Sequence, residues 1–203
     1  NKSKTFCMAP WVSINNNPNG NILPCCVSKF HDPFGNLNND TIETIWNNER
    51  FKELRKNMLN DETSSSCERC YIEEEWEAFS YRQYWNTSFG DKYNELVNQT
   101  DPDGTLNTMK LYRWDFRFNN LCNLACIGCG SELSSGWIEL NKKLYPGSDP
   151  KVYSSRDKMD QFINTIKTQA PIVEEVYFAG GEPLMHSEQY TISVSYTHLT
   201  LPT

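Results

Sequence analysis

No apolar run in this 203-residue chain approaches the roughly 20 residues that a membrane-spanning helix needs. The opening residues, NKSKTFCMAPW, also lack the continuous apolar stretch of a signal peptide. A membrane-inserted or secreted chain is therefore not expected, and a cytoplasmic one is. An excess of basic charge is missing too: 19 Lys and Arg stand against 26 Asp and Glu, a net charge of −7. Without a basic stripe to neutralise phosphates, nucleic acid is not an expected partner. Histidine is scarce, and His31, His186 and His198 have no ligand-like spacing. No fixed-period repeat is visible. Eight cysteines are about 4% of the residues, below the roughly 8–10% of a disulfide-built scaffold.

What is present is clustered cysteine: positions 7, 25, 26, 67, 70, 122, 126 and 129. Tight clusters suit metal ligation better than scattered cross-links. Around the first of them, two short apolar runs, Trp11 to Ile14 and Asn21 to Cys26, flank Asn15 to Gly20. That pattern predicts a β-hairpin. Asp40-Thr41 then offers a cap for one helix running to about Asn60. Thr63 to Ser66 is a polar loop delivering Cys67 and Cys70, and Glu73 to Tyr84 reads as a short acidic-aromatic helix. Residues 86–110 read as a linker, with a turn at Asp101-Pro102-Asp103-Gly104.

Beyond residue 110 the pattern changes. Leu111 to Phe118, LYRWDFRF, alternates aromatic with polar residues and predicts a strand. Asp115 and Arg117 share one face of it, as barrel-lining groups or as an ordinary intrastrand pair. A cysteine loop follows, then a helical stretch after Ser131, a second from about Asp157 to Gln169, and a strand from Ile172 to Phe178. Strand, helix and strand with a glycine turn at the carboxyl end is the grammar of a parallel α/β sheet or barrel.

The cysteine loop, LCNLACIGCG, sets Cys122, Cys126 and Cys129 in C-x3-C-x2-C spacing. Three soft thiolates suit an iron-sulfur cluster or zinc and leave one coordination position open. This loop resembles the cluster motif of the radical SAM (S-adenosylmethionine) superfamily. Ala179-Gly180-Gly181-Glu182-Pro183, closing the next strand, resembles that superfamily's GGEP motif. The resemblance implies that Cys122, Cys126 and Cys129 hold a 4Fe-4S cluster whose fourth iron is chelated by S-adenosylmethionine. It assigns Gly180, Gly181, Glu182 and Pro183 to binding that cofactor. Glycine lets backbone approach a ligand, and a carboxylate pairs with an ammonium. The residue before the third cysteine, usually aromatic in that family, is Gly128 here, so adenine packing is expected from elsewhere.

Cys7, Gly20 and Cys25 form C-x12-G-x4-C, and Cys67 with Cys70 adds C-x2-C. Four thiolates make a closed shell, which either a cluster or a structural zinc would satisfy. The pattern resembles the SPASM and twitch modules of radical SAM enzymes, implying that Cys7, Cys25, Cys67 and Cys70 hold an auxiliary 4Fe-4S cluster. Those modules usually follow the catalytic core, whereas this one precedes it. Cys26 is left over, either an alternative ligand to Cys25 or a small buried hydrophobe, and the second is the expected role.

The expected architecture is α/β: a small α+β twitch/SPASM-like module at 1–85, a linker at 86–110, and the opening β-α-β portion of a partial (β/α)6 radical SAM barrel at 111–192. Residues 193–203 form a tail, of which VSYTHLTLPT, Val194 to Thr203, resembles one reading frame of a sequencing-library adapter; taken as protein it has the β-propensity of a Thr-rich strand. The native coding sequence is expected to stop near Ile192, leaving an inactive fragment with an unpaired strand edge and poor solubility. The implied activity is oxidoreductase-like: reductive cleavage of S-adenosylmethionine to a 5′-deoxyadenosyl radical that abstracts hydrogen from a peptide or protein. The expected electron source is an external donor such as flavodoxin or ferredoxin. The alternative is a non-catalytic iron-sulfur electron-transfer protein or a structural zinc-binding protein.

Overall fold

In the computed structural model, which describes residues 3–153 and 159–200, Pro10 decides how the chain begins. Its fixed φ suits the first turn of a helix, and Ala9–Val12 is a helical turn, α1. The expected first strand therefore loses Trp11 and Val12, and β1 is Ser13–Asn16. β2, Asn21–Leu23, returns antiparallel, and β3, Gly35–Asn36, pairs with β2.

Asparagine interrupts the expected helix at 41–60. α2, Ile42–Trp46, is capped by Thr41, and α3, Glu49–Leu59, restarts where the Asn48 side chain accepts the Phe51 N–H at 3.0 Å. An Asn side chain competes with the helix backbone in mid-helix and completes it at a cap. The acidic-aromatic helix is likewise two: α4, Glu68–Glu75, and α5, Tyr81–Phe89. Ser80 and Gln83 form a reciprocal capping box between them, a signal legible as S-x-x-Q.

Residues 86–110 are not the open connection expected. They finish α5, form α6, Tyr93–Asn98, and bury Leu96 and Leu106 completely. The reason is a buried cation. Arg55 of α3 is fully buried, donating to Pro10 O and Asn47 Oδ1 at 3.0 Å and to Gly104 O at 3.4 Å, with Trp46 4.6 Å beneath it. Burial pushes its guanidinium down to about 9, and the acceptors and ring face offset that cost. Gly104 has φ +90, and a Cβ there would stand 2.1 Å from Lys52 O. Gly104→Ala is expected to cost about 1–3 kcal/mol from backbone strain, with further cost from the clash, read as a lower urea midpoint at unchanged slope.

β4, Arg113–Phe116, and β5, Glu175–Phe178, run parallel. β1 adds to the other side of β4, also parallel, so the open sheet has five strands in the order β3-β2-β1-β4-β5. The strand preceding the cysteine loop thus has a neighbour on each side, and among the described residues β5 is the sheet's edge on one of them. The hairpin of the N-terminal cysteine region supplies the neighbour on the other. On one face Trp114, Phe116 and Phe178 pack with Phe162 of α8, Met159–Gln169. On the other, Arg113 meets Glu175 Oε1 at 3.1 Å and lies over Trp85 of α5 at 4.9 Å. β4 is buried along its whole length.

After β4, α7 is Ile138–Leu144, and α9, Ser187–Thr200, continues as helix into the tail whose β-propensity predicts a strand. The expected helix start at Asp157, residues 1 and 2, and the final tail residues 201–203 lie outside the described residues. Among the described residues no helix is long and apolar enough to cross a membrane.

Candidate functional site

The N-terminal cysteines arrive from separate elements. Cys7 precedes α1, Cys25 follows β2, Cys67 ends a 3-10 turn at Ser65–Cys67, and Cys70 lies in the first turn of α4. All four line one apolar pocket with Leu54, Met58 and Trp85, and the Arg82 side chain reaches the same pocket. Burial pushes the Cys7 and Cys70 thiols up and the Cys67 thiol up to about 12. Neutral thiols are what an apolar pocket selects; a bound cation reverses this by making thiolate the favoured form. Arg82 offers the compensating charge, lowering Cys7 and Cys67. Four soft donors around an apolar pocket, with a guanidinium beside them, fit an iron-sulfur cluster.

Arg82 is itself held by Glu74, Nε to Oε1 at 2.8 Å, and Ser80 donates to the same carboxylate. Burial opposes ionisation of Glu74, but the bonds from Arg82 and Ser80 outweigh it and keep the carboxyl below its usual range. A lowered acid contributes stability that is complete above the unfolded value, about 4.3. That stability is lost as pH falls through the folded value. Glu74→Gln is expected to be less stable than wild type at pH 7 and to converge with it as pH drops below about 4, measured by thermal melts across pH.

Cys26 is half-buried, not the buried hydrophobe expected. Its hydrogen bond with Cys25 lowers it and raises Cys25. Burial and Asp115 oppose its thiolate, while Arg113 and Arg117 favour it. Asp115 and Arg117, the latter just past the end of β4, form an ion pair, Nε to Oδ1 at 3.2 Å.

The second cysteine group sits in the loop leaving β4. Ser135 ties its start, accepting the Cys122 N–H at 3.0 Å and donating to Cys122 O at 3.1 Å. The Cys129 N–H returns to Cys126 O at 2.9 Å, and Trp137 Nε1 donates to the same carbonyl at 2.9 Å. Burial first, then the charges of Cys126 and Cys122, push the Cys129 thiol up. Cys126 is exposed, and a Cβ at Gly128 would meet nothing within 4 Å. Three thiols on one short loop, with Cys126 exposed and Cys122 and Cys129 half-buried, are a donor set with room for a further ligand. Among the described residues, no three His, Cys, Asp or Glu side chains as placed could hold a single metal ion.

The turn after β5 comes to the same loop. Gly181 N–H donates to Leu133 O at 2.7 Å and Glu182 N–H to Leu121 O at 2.8 Å. The Glu182 carboxylate caps the 3-10 turn Pro183–Met185 through the Leu184 N–H at 3.2 Å. The structure therefore brings Gly181 and Glu182 to the base of the cysteine loop through backbone. Sequence reasoning did not single out Ser135 or Arg82, and it set His186 aside as isolated. His186 is buried, with Nε2 3.1 Å from Leu121 O.

Residues 7–71 match the family model of SPASM, an iron-sulfur cluster-binding domain. The match contains Cys7, Cys25, Cys67 and Cys70, covers about a third of the chain and supports iron-sulfur binding there. No curated protein and no solved structure matches the chain.

Proposed function

We propose that this chain carries two iron-sulfur sites of a radical SAM enzyme: a 4Fe-4S cluster on Cys122, Cys126 and Cys129, and an auxiliary cluster on Cys7, Cys25, Cys67 and Cys70. The observation that carries the reading is the junction of two motifs on adjacent parallel strands. The three-cysteine loop leaves β4, the diglycine turn leaves β5, and Glu182 N–H bonds the loop at Leu121 O. In parallel α/β sheets, ligands gather outside the carboxyl ends of the strands, which is where both motifs lie.

When bound, the reduced cluster and S-adenosylmethionine supply a 5′-deoxyadenosyl radical for hydrogen abstraction. The chain's own residues do the placing. Ser135 and Trp137 hold the loop backbone, so three thiols are presented without being spent on the core. Gly180 and Gly181, with φ +75 and +60, keep the turn bare of side chain. β1 docks the auxiliary-site hairpin along β4, so the two cysteine regions share one sheet. The SPASM match supports the auxiliary site. A peptide or protein is the proposed substrate class, in keeping with the SPASM and twitch relatives, in cytoplasm with an external flavodoxin- or ferredoxin-like donor.

The test is anaerobic reconstitution followed by iron, sulfide and zinc analysis, then spectroscopy of the reduced protein with and without S-adenosylmethionine. Iron and sulfide in near-equal amounts, with a spectrum that shifts on adding the sulfonium, are expected. Mostly zinc, or no shift, would replace the reading with the structural or electron-transfer alternative.

A further inference from the structure

The cysteine loop and the diglycine turn meet at a single backbone atom. Leu121 O, one residue before Cys122, accepts from the Glu182 N–H at 2.8 Å and lies 3.1 Å from His186 Nε2. A carbonyl can only accept, so Nε2 carries the proton. The imidazole is 3% exposed. Behind it there is no slack: a Cβ on Gly181, whose φ is +60, would stand 2.9 Å from the ring and 2.3 Å from Leu121 O. The Met185–His186 segment is itself fixed, because the N–H groups of Met185 and His186 donate back to Glu182 O and Pro183 O at 2.9 and 3.1 Å. One ring thus fills the corner between two loops that come from different strands.

We propose that His186 is a positioning residue, clamping the Gly180–Glu182 turn to the base of the Cys122–Cys129 loop. It touches neither thiol nor carboxylate in the contacts described above; it acts through the Leu121 carbonyl. The catalytic meaning of this clamp rests on the radical SAM reading, whereas the clamp itself rests on geometry alone. Substitution separates its two properties, ring volume and the N–H. His186→Phe keeps a flat ring, somewhat larger than imidazole, and loses the donor. His186→Gln restores a donor near Nε2 in a side chain of similar reach.

The experiment measures amide hydrogen exchange at Gly181, Glu182 and Cys122 in the apo protein, then S-adenosylmethionine binding and the accompanying spectral shift in the reconstituted protein. Exchange at Glu182 is expected to speed about tenfold in His186→Phe, the order of one lost hydrogen bond. It should return to within about twofold of wild type in His186→Gln, with Phe116 in β4 unchanged in both. Sulfonium affinity should fall by about the same factor in His186→Phe and recover in His186→Gln, at equal iron content. Unaltered exchange at Glu182 in His186→Phe, or no recovery in His186→Gln, overturns the proposal. Faster exchange throughout β4 also overturns it, because the ring would then be a general core element. Normal exchange effects with no sulfonium binding by any variant would leave the clamp standing and remove the radical SAM reading instead.

Discussion

Cys126→Ala is expected to remove roughly half of the bound iron while the remaining iron keeps its spectrum, and the same substitution in a full-length relative is expected to abolish 5′-deoxyadenosine formation. Of the three loop cysteines, Cys126 is the exposed one, and its contact to Trp137 is made by the main-chain carbonyl, which alanine retains. The fold therefore loses almost nothing, in line with the small cost of substitutions away from the core. The loop loses one of three sulfurs, and two thiolates on so short a loop cannot hold a cluster with an open vertex. Cys70→Ala should show the reciprocal pattern, losing the N-terminal iron from the pocket that includes Cys67 and Arg82. The measurement is iron and sulfide per chain, with product analysis after dithionite and S-adenosylmethionine run on the full-length relative. Undiminished product from Cys126→Ala would remove the catalytic assignment.

Trp114→Ala should have the largest effect on stability, about 3–5 kcal/mol. That is a sizeable part of the roughly 5–15 kcal/mol that holds a typical domain folded. Trp114 is 1% exposed on the strand between β1 and β5, and its ring packs on Phe116 at 5.5 Å between centroids. Removing it leaves a cavity under the strand that joins the two cysteine regions, so both should loosen together. Urea unfolding followed by tryptophan fluorescence and by far-ultraviolet dichroism should show one shifted transition. Trp76→Ala is the control: Trp76 is 81% exposed, so a change within about 0.5 kcal/mol is expected. A loss confined to one probe, or a control as damaging as Trp114→Ala, would contradict a shared core.

Several elements were legible because their signals are local. The alternation at Leu111 to Phe118 yields β4, the Asn-Pro-Asn-Gly turn yields the β1–β2 hairpin, and the helical pattern ending at Gln169 yields α8. The errors came where local signals compete. Helical periodicity ran through Asn47-Asn48, where a side-chain cap restarts the helix, and it missed the Ser80–Gln83 capping box. The loop reading of 86–110 failed for a different reason. Polar composition there conceals a segment anchored by Arg55, a residue 49 positions from Gly104 along the chain.

Sequence by itself settled the donor types and their spacing: which thiols stand together on one loop, and where glycine replaces a side chain. Those are properties of a few consecutive residues and of covalent geometry. Tertiary structure decided what distant segments do to one another. Only it could pair β1 with β4, gather Cys7, Cys25, Cys67 and Cys70 around one apolar pocket, and set His186 against Leu121 O. Such contacts depend on the summed packing of buried surface across the chain, and no short window of residues carries that sum.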